Sequence, residues 1–286
     1  MRIIDAHQHY WRVQRADYGW LKPELGALYR DFEPADFDAA CDGRGIVGTV
    51  LVQAAATEAE TQFLLQLALA HPSVAGVVGW VDFEAADVAR RLAALIGQGA
   101  GLLRGLRPMV QDMPDDRWLT RPAIDPAFDS LIACNLTFDA LVRPIHLPAL
   151  IRRLERHPDL RIVLDHCGKP DIARAGFQDW AAQISQLAES TCACCKLSGL
   201  LTEAPPDASA ADLGRYVEHV IACFGTDRIL WGSDWPVLTL RASYDRWLDM
   251  ALGLVRRYAP GREQAIFSDN AIRFYGLEPR ERSWPS

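Results

Sequence analysis

Apolar positions along this chain come in short continuous blocks separated by longer amphipathic stretches. The blocks are Ile3 to Tyr10, Thr49 to Ala54, Val74 to Phe83, Leu102 to Val110, Leu136 to Val142, Arg161 to His166, Cys192 to Gly199 and Arg228 to Asp234. A strand buried on both faces reads as such a run, because neither set of alternating side chains meets water. Between the blocks, helical spacing is found at 34–43, 57–70, 87–97, 126–134, 146–155, 177–189, 212–224 and 241–258, with a last helix at 269–275. Thr57, with Glu60 in the capping-box position, starts the second of these. The stretch from Tyr10 to Phe32 has no clean period and reads as a long loop over the mouth of whatever follows the first strand.

Eight strand–helix units in 286 residues predict an α/β fold, a (β/α)8 barrel forming one domain over residues 1–286. No Gly/Ser linker or charge block marks a second domain. The runner-up is an open doubly wound sheet. Its dinucleotide-binding form wants Gly-x-Gly-x-x-Gly after the first strand, where this chain has His7-Gln8-His9.

Composition narrows the function classes. Half the residues are hydrophobic, enough for a large core. The net charge of −7 argues against a nucleic-acid surface, and no apolar run reaches membrane-spanning length. The seven cysteines, three of them crowded at Cys192, Cys194 and Cys195, do not form zinc-type Cys-x-x-Cys pairs separated by a linker and read as reduced, buried thiols of a cytoplasmic protein. The partner to expect is a small molecule.

The candidate chemistry lies at strand ends, where a barrel collects its reactive groups. On the first strand His7 and His9 alternate onto one face, with Asp5 below them, and two imidazoles so placed suit a metal ion or a polarised oxygen. Strand four carries Arg104 and Arg107, strand six ends in His166, strand seven bears Lys196 and strand eight ends in Asp234. Parity puts Ile162, Leu164 and His166 on one face, and Leu230, Gly232 and Asp234 on another. Asp165 and Cys167 then face the helices. Each residue also has a plainer reading. A lone histidine is more often a hydrogen-bonded core residue, the arginines could be structural ion pairs, and a buried Lys196 needs a partner. Trp11, Trp20 and Trp235 flank the mouth, as core or as walls for a ring substrate.

Taken together, Asp5-Ala6-His7-Gln8-His9-Tyr10-Trp11, Arg104-Gly105-Leu106-Arg107, Leu164-Asp165-His166-Cys167-Gly168-Lys169-Pro170, Lys196-Leu197-Ser198-Gly199-Leu200 and Gly232-Ser233-Asp234-Trp235-Pro236 resemble the strand-end motifs of the amidohydrolase superfamily, most closely its lactonase branch. That resemblance implies hydrolysis of sugar-acid lactones or related cyclic esters. Many superfamily members carry a bridging lysine or histidine on strand four and a further histidine on strand five. Here those strands offer arginines, Phe138 and Asp139, so one metal rather than two is implied, and some members of the branch work without any.

The resulting expectation is a lactonase acting on a small sugar lactone of the 6-deoxy, L-fuconolactone type. Asp234 is the general base and His166 a second catalytic group. One divalent ion, zinc by ligand type, is held by His7, His9 and Asp234, with His166 as a fourth ligand, and is not necessarily needed for catalysis. Arg104, Arg107, Lys196, Trp11, Trp20 and Trp235 are the expected substrate contacts. A metal-dependent decarboxylase is the alternative, and a non-catalytic sugar-binding barrel a third reading.

Overall fold

The computed structural model describes residues 1–278. Eight parallel strands form one sheet in chain order: β1 (Ile3–Gln8), β2 (Ile46–Val52), β3 (Val74–Gly79), β4 (Leu103–Leu106), β5 (Thr137–Ala140), β6 (Arg161–Leu164), β7 (Cys194–Leu197) and β8 (Ile229–Trp231). The sheet curls until β1 meets the end of β8. There the His9 N–H donates to the Trp235 carbonyl at 2.8 Å and the Asp234 N–H to the His7 carbonyl at 2.8 Å. This is the expected (β/α)8 barrel.

Helices α1 (Pro34–Ala40), α2 (Glu58–Ala70), α3 (Val88–Gln98), α4 (Asp125–Ala133), α5 (Leu147–Arg156), α6 (Phe177–Ser190), α7 (Leu200–Glu203), α8 (Ala210–Phe224) and α9 (Tyr244–Tyr258) follow the strands, and α10 (Asn270–Tyr275) comes last. The strands are apolar on both faces because each face has its own core. Ile4, Ala6, Val50, Val52, Val78, Val163 and Leu230 fill the inside. A larger cluster, including Leu51, Val77, Leu106, Phe138, Leu164 and Trp231, fills the space between barrel and helices. Tyr275 and Leu277 join the inner cluster, so the chain after α9 closes the barrel's N-terminal end. No helix of the described residues is long and apolar enough to cross a membrane. No disulfide joins the cysteines of the described residues; Cys167 and Cys195 are buried, but Cys134 and Cys192 are exposed, against expectation.

The faces differ from expectation in two places, both beside the site. On β6 it is Val163 that faces inward, while Ile162 and Leu164 face the helices, the reverse of the expected parity. On β1 the register slips between Asp5 and Gln8. Ala6 and His7 both end up inside, and Asp5 turns outward, where its carboxylate accepts from the Ser233 N–H at 2.9 Å and from the Tyr244 hydroxyl at 3.1 Å. Such a bulge re-aims side chains at the cost of a ladder bond. The capping box is also half made. Thr57 accepts from the Glu60 N–H at 3.0 Å, but the buried Glu60 carboxylate turns to the Ala54 N–H and the Tyr18 hydroxyl, at 3.2 and 2.8 Å.

Candidate active site

Three short backbone departures bring the site together. After β6 the chain leaves the strand in the left-handed region, with φ of 52° at His166 and 53° at Cys167. This swings the His166 ring, otherwise on the wrong face, over the barrel mouth. After β8, Asp234 has φ of 61° and points inward. On β1 the bulge adds His7 to His9. Left-handed backbone is unfavourable for non-glycine residues, and its concentration here marks a place where geometry overrides propensity. Two glycines make room. A Cβ at Gly199, whose φ is 65°, would lie 2.6 Å from the His166 ring, and one at Gly232 would lie 2.7 Å from the His7 Cβ.

The result is a carboxylate ringed by imidazoles. Asp234 Oδ1 lies 3.3 Å from His9 Nε2, 3.7 Å from His7 Nε2 and 3.9 Å from His166 Nε2. His9 faces two acceptors, the Val52 carbonyl 2.8 Å from Nδ1 and Asp234 Oδ1 3.3 Å from Nε2. His7 Nε2 lies 3.2 Å from Arg107 Nη1, which can only donate, so the proton of the neutral ring is on Nδ1, which lies 3.4 Å from the Asp165 carboxylate and 3.1 Å from the Lys196 ammonium. His166 Nδ1 lies 2.9 Å from the Ser198 hydroxyl. Burial keeps His166 neutral, with its pKa pushed down to about 4. Burial, reinforced by the nearby Lys196 charge, holds His7 well below the usual imidazole range. Burial alone would raise Asp234, but the facing His166, His9 and His7 hold it well below the usual carboxylate range, so it is ionised at neutral pH.

A buried ionic layer lies beneath this ring. Lys196, fully buried, is 2.6 Å from Asp139 Oδ2 and 2.9 Å from Asp165 Oδ1. The Tyr275 hydroxyl donates to Asp139 at 2.6 Å. Asp165, which would be raised by burial, is held well below its usual range by Lys196, His7 and Arg107; Asp139 is raised by burial despite Lys196. Asp165 therefore faces the interior and anchors His7, contrary to the expectation that it faces the helices. Lys196 cannot reach a substrate from this depth and acts by holding Asp165 in place.

Above the ring opens a pocket of about 270 Å³, lined by His9, Arg107, His166 and Asp234 at its floor. Trp20, Ala54, Met109, Leu141 and Val237 form apolar walls, and Gln111, Asp112, Lys169, Thr202 and Glu203 polar ones. Of the expected substrate contacts, only Arg107 and Trp20 line it. Arg104 lies at the opposite end of the barrel, packed near Gly76, Gly276 and Leu277. Trp11 is fully buried, its indole N–H on the Arg30 carbonyl and its ring against Trp20 and Phe32. Trp235 is buried among Tyr10, Phe32 and Phe37. Both are core of the long first loop. Sequence reasoning missed Asp139, Asp165, Tyr275 and the polar wall. Lys169 alone was within reach of it, three residues after His166 in the quoted strand-six motif.

His7, His9 and Asp234 offer ligand atoms that all lie within 4.8 Å of one another. Two imidazole nitrogens and a carboxylate facing one point, with the far nitrogens of His7 and His9 beside Asp165 and the Val52 carbonyl, are a donor set that fits a divalent cation, which would displace the Arg107 hydrogen bond from His7 Nε2.

The model of the family described as Amidohydrolase matches residues 4–277. The chain belongs to this family. It is 41% identical over 279 residues, 96% of each chain, to an L-fucono-1,5-lactonase of Burkholderia ambifaria. It is 37% identical to an L-fucono-1,5-lactonase of Burkholderia multivorans, with 97% of each chain covered. A crystal structure of a Burkholderia multivorans amidohydrolase with bound zinc superposes with a TM-score of 0.90 at 34% identity, covering 97% of this amidohydrolase and 100% of the other chain.

Proposed function

We propose that this amidohydrolase opens a neutral sugar-acid lactone, L-fucono-1,5-lactone or a close 6-deoxy relative, to the free acid. The observation that carries the reading is the Asp234 carboxylate, within 3.3 to 3.9 Å of three imidazole nitrogens at the floor of a pocket of sugar size. Similarity to two L-fucono-1,5-lactonases over almost the whole chain supports it.

Asp234 takes a proton from water as the water oxygen bonds to the lactone carbonyl carbon. The His166 Nε2–H donates to the carbonyl oxygen as it gains charge, in the tautomer whose Nδ1 accepts from the Ser198 hydroxyl 2.9 Å away. As the ring C–O bond breaks, Asp234 returns the proton to the departing alkoxide, and the new carboxylic acid ionises. The substrate hydroxyls meet Gln111, Asp112, Lys169, Thr202 and Glu203. Among the described residues nothing donates to the buried Gln111 Oε1, a ready acceptor. The methyl group of a 6-deoxy sugar suits the wall of Trp20, Met109, Leu141 and Val237.

His7, His9 and Asp234 would hold a zinc ion, which supplies Lewis acidity towards the reacting carbonyl when bound. Arg107 already places a cation on His7 Nε2, so the chain carries part of the same electrostatic function itself. A decarboxylase would need a cation free to grip a substrate carboxylate. Here Arg107 is engaged by the Gln53 carbonyl and Asp165, and Lys169 by Glu203.

A pH-indicator assay on an aldonolactone panel tests the function, since each ring opening releases a proton. L-fucono-1,5-lactone or another neutral aldonolactone should be turned over, and Asp234→Asn should lose about 10²-fold or more in kcat. Near wild-type turnover in that variant, or carbon dioxide as the product, defeats the reading.

A further inference from the structure

We infer that the Lys169–Glu203 ion pair is a charge filter that keeps the site for uncharged lactones. The inference deepens the lactonase reading and rests on it. Lys169 Nζ lies 2.6 Å from Glu203 Oε1, and both side chains line the pocket. Neither is loosely held. Lys169 closes the left-handed turn that delivers His166: its own φ is 52°, and its N–H donates to the His166 carbonyl at 2.9 Å. Glu203 ends α7, and its carbonyl accepts from the Ala173 N–H at 3.0 Å, which ties the loops after β6 and β7 together.

A partly exposed ion pair contributes little to stability. What gives this one a function is its position. The pocket lining holds two cations, Arg107 and Lys169, against three anions, Asp112, Glu203 and Asp234. Arg107 is only 3% exposed and already satisfies Gln53, His7 and Asp165. Lys169 is therefore the cation at the rim that an incoming carboxylate would seek, and Glu203 already neutralises it. A hydroxyl can bridge such a pair, accepting from the ammonium and donating to the carboxylate. A substrate carboxylate gains Lys169 only by facing Glu203 at close range, and like charges juxtaposed in this way discriminate strongly.

The test uses Glu203→Gln, which keeps shape and removes the neutralising charge. Steady-state kcat/KM is measured for L-fucono-1,5-lactone and for three lactones bearing carboxylates in different positions: galactarolactone, muconolactone and 2-pyrone-4,6-dicarboxylate. The ratio of the best carboxylated lactone to L-fucono-1,5-lactone should rise about tenfold or more in Glu203→Gln. The gain should shrink at high salt and disappear in Lys169→Met/Glu203→Gln. Should Glu203→Gln melt early, Glu203→Ala is judged in the same way. An unmoved ratio in a folded variant, or a gain that survives loss of Lys169, overturns the filter while leaving the lactonase reading standing. A wild-type enzyme inert towards every neutral lactone overturns both.

Discussion

Replacing Lys196 by Met tests whether the ionic layer under the site is what holds His7. Lys196, Asp139 and Asp165 are all fully buried, and the ammonium is within 2.9 Å of both carboxylates. Methionine fills a similar volume, so packing changes little and the loss is electrostatic. Removing one member of a buried charged group typically destabilises by about 3–5 kcal/mol, because the remaining charge is left without a partner. For a chain of this size about 2 °C of Tm corresponds to each kcal/mol, so a fall of about 6–10 °C is expected. The fall should depend on pH. Asp139 is already raised by burial, and without Lys196 it rises further, so the folded state binds the extra proton between the unfolded and folded pKa values. Stability is then lost as pH rises through that window, and the deficit should be larger at about pH 8 than at about pH 5.5. Adding Asp139→Asn should recover about half the deficit, since one of the stranded carboxylates is then gone. Thermal melts of the single and double variants, with kcat on the best lactone, make the measurement. A Lys196→Met variant that melts within about 2 °C of wild type at both pH values would refute the reasoning.

Other expectations separate core from site. Trp20→Ala should raise KM for the best lactone with a small change in Tm, whereas Trp11→Ala, which empties a fully buried position, should cost about 3–5 kcal/mol of stability. Kinetics and melts on the two variants decide it. Gly199→Ala should cut kcat while leaving the protein folded, because the new Cβ displaces the His166 ring; unchanged kcat would remove His166 from the chemistry. Burial pushes the Glu60 pKa up to about 7, above its unfolded value, so wild-type stability should decline from about pH 5 to pH 8, and Glu60→Gln should flatten that slope in thermal melts. Purified protein should contain zinc, and chelation, followed by metal analysis and kcat, should lower kcat without abolishing it, because Arg107 can then donate to the freed His7 Nε2.

The fold was legible because burial on both faces writes itself into a strand as an unbroken apolar run, and eight such runs leave few architectures. The site was legible where a residue's type declares its chemistry regardless of register: His7, His9, His166 and Asp234 all meet. Where the inference relied on alternation it went astray, because the site is built by breaking alternation. The β1 bulge and the left-handed turn at His166 and Cys167 re-aim His7 and His166, so counting faces from those histidines puts Asp5 and Asp165 on the wrong sides. Arg104 and Arg107 look equivalent in sequence, yet they lie at opposite ends of the barrel. Trp11 and Trp235 were misplaced for another reason: a buried indole and a pocket-lining indole have the same sequence signature, and only the packing of the first loop distinguishes them.

The same departures explain why the site and the closure of the barrel are one structure. β1 and β8 are joined by the Asp234 N–H on the His7 carbonyl and the His9 N–H on the Trp235 carbonyl, and by the Ser233 N–H on the Asp5 carboxylate. Every residue in that seam is a reacting group or the immediate neighbour of one, except Asp5, which the bulge turns outward to serve it. A barrel closed by regular ladder bonds would leave the side chains of its last strand end free to drift with their loop. Here a shift of Asp234 relative to His7 and His9 requires a hydrogen bond of the closure to break. The distances of 3.3 and 3.7 Å from Asp234 to His9 and His7 are thereby set by backbone bonds, and the general base is held in place before substrate arrives, which is the arrangement that electrostatic catalysis needs.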